Sequence, residues 1–136
     1  IPSQPAIDCA GFVGLNCSGF SARMVPNFGS KIDFRYYSGD FSIGATVRKI
    51  GEFEFSPGDT RAAVFNNEVP AEVYWDFDAR YAINDSIQVF GLVKNAFDNE
   101  PQLMGQQIQG DSGVDVGLYD VIGARYTVGV RYLFDQ

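Results

Sequence analysis

Residues 124–134 read Ala124-Arg125-Tyr126-Thr127-Val128-Gly129-Val130-Arg131-Tyr132-Leu133-Phe134. Ala124, Tyr126, Val128, Val130, Tyr132 and Phe134 share one parity, while Arg125, Thr127, Gly129 and Arg131 share the other, interrupted only by Leu133. A period of two means a β-strand with one apolar and one polar face. The length of the run, with aromatic residues near both ends of the apolar face, suits a strand that crosses a membrane as part of a barrel. An apolar face turned to lipid then requires that the charged face meet a water-filled lumen.

The same alternation recurs upstream. In Lys31–Tyr37, Ile32, Phe34 and Tyr36 oppose Lys31, Asp33 and Arg35. Ser38-Gly39-Asp40 is a hairpin turn. Beyond it Phe41, Ile43, Ala45 and Val47 oppose Ser42, Gly44, Thr46 and Arg48. In Glu72–Ala82, Val73, Trp75, Phe77, Ala79 and Tyr81 oppose Glu72, Tyr74, Asp76, Asp78 and Arg80. A short turn at Asn84-Asp85 leads to a fourth strand, Ser86–Asn95, with Ile87, Val89, Gly91 and Val93 on one face and a mixed second face of Gln88, Phe90, Leu92 and Lys94. The connections alternate short and long, as in outer-membrane barrels with short periplasmic turns and long extracellular loops. This predicts an all-β antiparallel meander of about five strands, with Ile32, Phe34, Phe41, Ile43, Val73, Trp75, Phe77, Val89, Val128 and Val130 facing lipid. Five strands do not close a barrel, and each unpaired backbone group at an open edge costs several kcal/mol in lipid. The sheet is therefore expected either to be the end of a larger barrel or to belong to a soluble ligand-binding β-barrel or β-sandwich, which has the same period.

Composition narrows the function. The 136 residues hold 12 Phe and 7 Tyr, yet mean hydropathy is only -0.08, as expected when apolar and polar residues alternate. No run approaches the ~18 apolar residues of a transmembrane helix. The net charge of -7 argues against a nucleic-acid partner. There is no His, and no nucleophile motif, so an enzyme is not expected, and neither a cofactor nor a metal is called for. Cys9 and Cys17 lie close together in a Gly-rich stretch. A local disulfide in an oxidising compartment is the preferred reading, with two free thiols in a cytosolic loop as its rival. The first residues, Ile1-Pro2-Ser3-Gln4-Pro5, have neither a basic region nor an apolar one, so the chain is expected to be the mature part or a fragment of something longer.

From Tyr74 onward the chain resembles the C-terminal end of TonB-dependent outer-membrane receptors. Val93-Lys94-Asn95-Ala96-Phe97-Asp98, followed by Glu100-Pro101, is similar to the segment that closes the family's penultimate strand. Tyr119-Asp120-Val121-Ile122-Gly123-Ala124-Arg125-Tyr126 resembles the approach to its last strand. Val128–Phe134 resembles the terminal signal read by the barrel-assembly machinery, with Gly129, Tyr132 and Phe134 as its signal residues; Val128 and the trailing Asp135-Gln136 depart from that pattern. Asp8-Cys9-Ala10-Gly11 with Cys17 and Pro26 resembles a cysteine-bearing extracellular loop of some members.

The resemblance implies the C-terminal segment of a transmembrane β-barrel of roughly 22 strands, in the outer membrane of a Gram-negative cell. It implies extracellular loops at 1–29, 51–70 and 96–120, hairpins at 30–50 and 71–95, and a terminal strand at 121–134. The implied partners are the remainder of the barrel, the plug domain, outer-membrane lipid and the assembly machinery, with TonB acting only through the plug. The transported ligand would be a scarce one such as a siderophore–iron complex, cobalamin or an oligosaccharide. No plug lies in these residues, so this chain alone is expected to supply wall and loops without transporting anything.

Other residues have plainer readings. Asp111 and Asp115 have the oxygen chemistry for a divalent cation, but two carboxylates without further ligands are expected to be loop charges. Asp76 and Asp78 are expected to pair with Arg80 or Arg35 rather than to form an acid–base couple. Trp75, Tyr81, Tyr126 and Tyr132 are expected in the lipid-facing or girdle set rather than as sugar platforms. Phe90 and Leu92 point to the lumen side, where a plug would meet them.

Overall fold

Gly39 takes φ +55 while Asp40 stays at negative φ, the pattern of a type II′ turn, and the hairpin it closes is the first half of the principal sheet. The computed structural model describes residues 8–14, 17, 24–55, 68–104 and 113–134. The fold is all-β. Its strands are β1 (Phe12–Val13), β2 (Gly29–Ser38), β3 (Phe41–Ile50), β4 (Phe53–Phe55), β5 (Glu68–Val69), β6 (Glu72–Ala82), β7 (Ile87–Lys94) and β8 (Arg125–Tyr132). Backbone contacts divide the chain into two compact units.

One unit carries the five-stranded sheet, ordered β2-β3-β6-β7-β8, with β2 and β8 at its edges and no closure. Asn84 makes the second short turn. Its side-chain oxygen accepts from the amides of Ser86 and Ile87, both at 2.9 Å, which replaces the ladder bonds lost at the bend. The register of β6 on β7 pairs Phe77 with Val93, Ala79 with Gly91 and Tyr81 with Val89. That of β7 on β8 pairs Val93 with Tyr126, Gly91 with Val128 and Val89 with Val130. Trp75 has the parity of Phe77, and their rings stack at 6.1 Å. A Cβ on Gly44 would meet Asp78 Oδ1, so Gly44 shares the face of Asp78, and Phe41 and Ile43 lie with Phe77 and Ala79 on the other. Arg35 and Asp78 meet across Gly44 on the other face, so Ile32, Phe34 and Tyr36 of β2 also lie on the apolar side.

The terminal strand is shorter than the expected 121–134. It starts at Arg125 because the preceding residues are tied elsewhere: Gly123 has φ +81 and the amide of Ala124 donates to Asp98 Oδ1 at 2.7 Å. β7 stops at Lys94 because Asn95 turns to φ +47.

The other unit gathers stretches read from sequence as loops. β1 pairs parallel with β4, and β4 antiparallel with β5, in a small three-stranded sheet. Val13, Met24, Ile50, Phe53, Val69, Met104, Val114 and Tyr119 are buried in this unit. These apolar residues are too dispersed to show a period, yet together they make a core. Asp115 is a strut in it, since its carboxylate accepts from the amides of Met24 (3.1 Å) and Gly117 (2.9 Å). Asp111 lies outside the described residues, so a cation reading for the pair has no geometry behind it.

Candidate membrane-facing sheet

The five-stranded sheet has two chemically opposite faces. On its apolar face Val128 is 86% exposed and Tyr126 72%, and Ile32, Phe34, Tyr36, Phe41, Ile43, Tyr81, Val130 and Tyr132 are exposed with them. A contiguous apolar surface of this kind marks a membrane or partner contact. Ala79, Gly91 and Val128 form a small-residue row across it, between Trp75, Phe77 and Tyr126 towards one end and Tyr81 and Tyr132 towards the other. Trp75 also meets Phe97 edge-on at 6.3 Å, and Tyr132 meets Phe134 at 4.6 Å. The ten residues predicted to share a face do share it; what that face touches is a separate matter, taken up below.

The opposite face is polar. The Arg35 guanidinium grips Asp78 with two bonds, Nη1 to Oδ2 at 3.0 Å and Nη2 to Oδ1 at 2.9 Å, and Arg80 approaches the same carboxylate at 4.0 Å. This bridge spans β2 and β6 with β3 between them. It fits only because Gly44 carries no side chain, since a Cβ there would fall onto Asp78 Oδ1. The Thr46 hydroxyl donates to Asp33 Oδ1 at 2.6 Å, and Lys31 stands 3.4 Å from Oδ2. Gly129 plays the part of Gly44 on β8, because the Phe90 ring of its paired neighbour lies where a Cβ would be. Phe90 is thus packed on its own sheet. Tyr74, read as one of the polar-face residues, is buried, with Arg48 over its ring at 4.9 Å. Among the described residues Asp76 pairs with neither Arg35 nor Arg80, the partners expected of it; its Oδ1 accepts from the amide of Asn95 at 2.9 Å.

Asn95 organises the strand ends. It is fully buried. Its Nδ2 donates to Asn99 O at 2.9 Å and its Oδ1 accepts from Asn99 N at 3.0 Å. Asn99 Nδ2 donates onward to Val73 O at 2.6 Å, and the amide of Ala96 donates to Trp75 O at 2.8 Å. Asp98, at φ +55, accepts from Ala124. Residues 95–99 therefore lace the ends of β6 and β7 to the start of β8. The sequence marks the segment but not these bonds; the usable signal was two asparagines flanking a turn beside a strand end, since Asn tolerates positive φ and bonds locally.

The sheet's edges complete the picture. The amide of Leu133 donates to Ser86 O at 2.8 Å, so in the observed register Arg125, Thr127, Gly129 and Arg131 direct their backbone groups to β7. Those of Tyr126, Val128, Val130 and Tyr132 point away from the sheet. In the other unit Cys9 and Cys17 form a disulfide, with Cα atoms 5.1 Å apart. No helix among the described residues is long and apolar enough to cross a membrane, and no group of three or more metal-ligating side chains occurs among them.

No family model, curated protein or solved structure matches the chain. The functional reading therefore rests on the two faces and the open edges of the sheet.

Proposed function

We propose that this chain forms part of the wall of a TonB-dependent outer-membrane receptor, a transporter of scarce ligands such as siderophore–iron, cobalamin or oligosaccharide. The observation that carries the proposal is a sheet with one exposed apolar face, one charged face and two open edges. The eleven residues of β6 span about 36 Å at ~3.3 Å per residue. At the ~45° tilt of a barrel strand that is about 25 Å of depth, the height of the lipid-facing band of such barrels. Open edges are unaffordable in lipid, so the wall continues on both sides in further strands. On this reading the apolar face meets outer-membrane lipid, and the polar face lines the lumen where a plug sits. TonB acts through the plug, and the chain supplies wall and loops.

Trp75 provides the test, because it is the only tryptophan and lies on the apolar face. In the complete barrel, with any tryptophan outside this chain replaced by phenylalanine and the protein folded into vesicles whose acyl chains carry bromine, Trp75 fluorescence should be strongly quenched. Brominated headgroups or soluble iodide should quench far less. Iodide quenching that exceeds bromolipid quenching, with the sheet folded, would refute the proposal and favour a soluble β-barrel or sandwich.

A further inference from the structure

The polar face ends in a hollow at the short-turn end of the sheet. Its volume is about 370 Å³, within the ~300–1,000 Å³ of sites that hold small molecules. The register sets Ala82, Gln88 and Arg131 side by side across β6, β7 and β8, and all three line it. Asp40 of the β2–β3 turn and Asp85 and Ser86 of the β6–β7 turn complete its border. Backbone bonds fix this frame. The amide of Ala82 donates to Asp40 O at 2.9 Å, and that of Leu133 to Ser86 O at 2.8 Å. Asn84 holds the β6–β7 turn through the amides of Ser86 and Ile87. A site built on such a frame needs little ordering when a ligand arrives.

The charged side chains around the hollow are unmatched. Among the described residues, those of Asp40, Asp85 and Arg131 make neither an ion pair nor a hydrogen bond, although carboxylate and guanidinium border one space. Elsewhere on the same face such groups do meet, as Arg35 and Asp78 show. Two carboxylates and one guanidinium disfavour every ligand of a single sign: an anion is repelled by Asp40 and Asp85, and a bare cation by Arg131. A molecule carrying both signs, with one positive charge in excess, answers all three. We infer that the hollow is a binding site for a small dipolar cation with one carboxylate and two ammonium groups, the chemistry of a diamino acid such as lysine. Its carboxylate meets Arg131 and its ammonium groups meet Asp40 and Asp85. Gln88 and Ser86 add a neutral amide and a hydroxyl for further hydrogen bonds. The site uses only the turn end of the sheet and so goes beyond the function proposed above without depending on what the apolar face touches.

The experiment titrates the intact protein, folded in detergent micelles, with L-lysine and follows amide shifts by NMR. Lysine should shift the amides of Asp85, Ser86, Gln88 and Arg131 saturably and leave those of Thr46 and Val47 in β3 unmoved. Cadaverine, which lacks the carboxylate, and glutarate, which lacks both ammonium groups, should each bind roughly fivefold more weakly, the upper range for exposed charge pairs. Arg131→Gln should erase the preference for lysine over cadaverine. Asp40→Asn and Asp85→Asn should each weaken lysine by roughly threefold. Unchanged β3 shifts in every variant verify that the sheet is folded. No saturable shift with lysine, equal affinity for lysine and cadaverine, or a lysine affinity unchanged in all three variants would each overturn the inference. Bromolipid quenching of Trp75 is read separately, so failure of this site is distinguishable from failure of the membrane reading.

Discussion

Replacing Asn95 with alanine probes the lacing of the strand ends most directly. Asn95 is fully buried, sits at φ +47, and exchanges two side-chain hydrogen bonds with the backbone of Asn99. Losing both bonds costs about 2 kcal/mol at ~1 kcal/mol each. Holding alanine at positive φ adds about 1 kcal/mol, because its Cβ meets the following carbonyl there, a conformation that asparagine tolerates better. Asn95→Ala should therefore lose about 3 kcal/mol, and Asn95→Gly about 2 kcal/mol, since glycine forfeits the bonds but accepts the backbone. Trp75 reports the change, being in contact with Phe97 inside the same segment. Guanidinium unfolding of the protein in detergent, followed by its fluorescence, gives both values. Identical losses in the two variants would refute the backbone part of this reasoning. A loss below about 1 kcal/mol in Asn95→Ala would refute the hydrogen-bond part as well.

Gly129→Ala should lose roughly 1–3 kcal/mol by displacing the Phe90 ring, and Phe90→Ala in the same chain should remove most of that extra cost; simple additivity in the same unfolding assay would contradict the packing of ring on glycine. A double-mutant cycle of Arg35→Met with Asp78→Asn should give a coupling of roughly 0.5–1 kcal/mol, the bidentate geometry being discounted for solvent exposure, and the coupling should shrink in high salt. Cys9 and Cys17 should become alkylated only after reduction, and Cys17→Ser should lose about 2–3 kcal/mol from its unit for a loop this short, measured by thermal melting with and without reductant. If the apolar face meets lipid, Val130→Arg should cost roughly 2–4 kcal/mol at mid-depth and abolish the heat-modifiable band on a gel, whereas Val130→Leu should fold normally; normal folding of Val130→Arg in outer membrane would place that strand away from lipid.

Much of the principal sheet was legible in the residue order. Strict alternation in Lys31–Tyr37, Phe41–Arg48, Glu72–Ala82 and Arg125–Tyr132 assigns each residue to a face, because successive side chains of a strand must point to opposite sides. Short polar turns at Gly39-Asp40 and Asn84-Asp85 make those strands neighbours. What alternation does not contain is register, which is set by which backbone groups actually pair. Gly44 and Gly129 looked like ordinary polar-face positions until the pairing placed Asp78 and Phe90 over them. Asn95 looked like a motif residue until folding buried it, bonded to Asp76 of β6 and to Asn99 in the turn after β7. The stretches around β1, β4 and β5 have no period at all. Phe53, Val69, Met104 and Val114 become a core only when distant segments meet, and a core assembled from scattered single residues leaves no local trace in the chain. A strand's own pattern thus determined its faces, whereas the crossing of one strand's side chains over another's backbone was decided only in three dimensions, because those contacts depend on residues far apart in sequence.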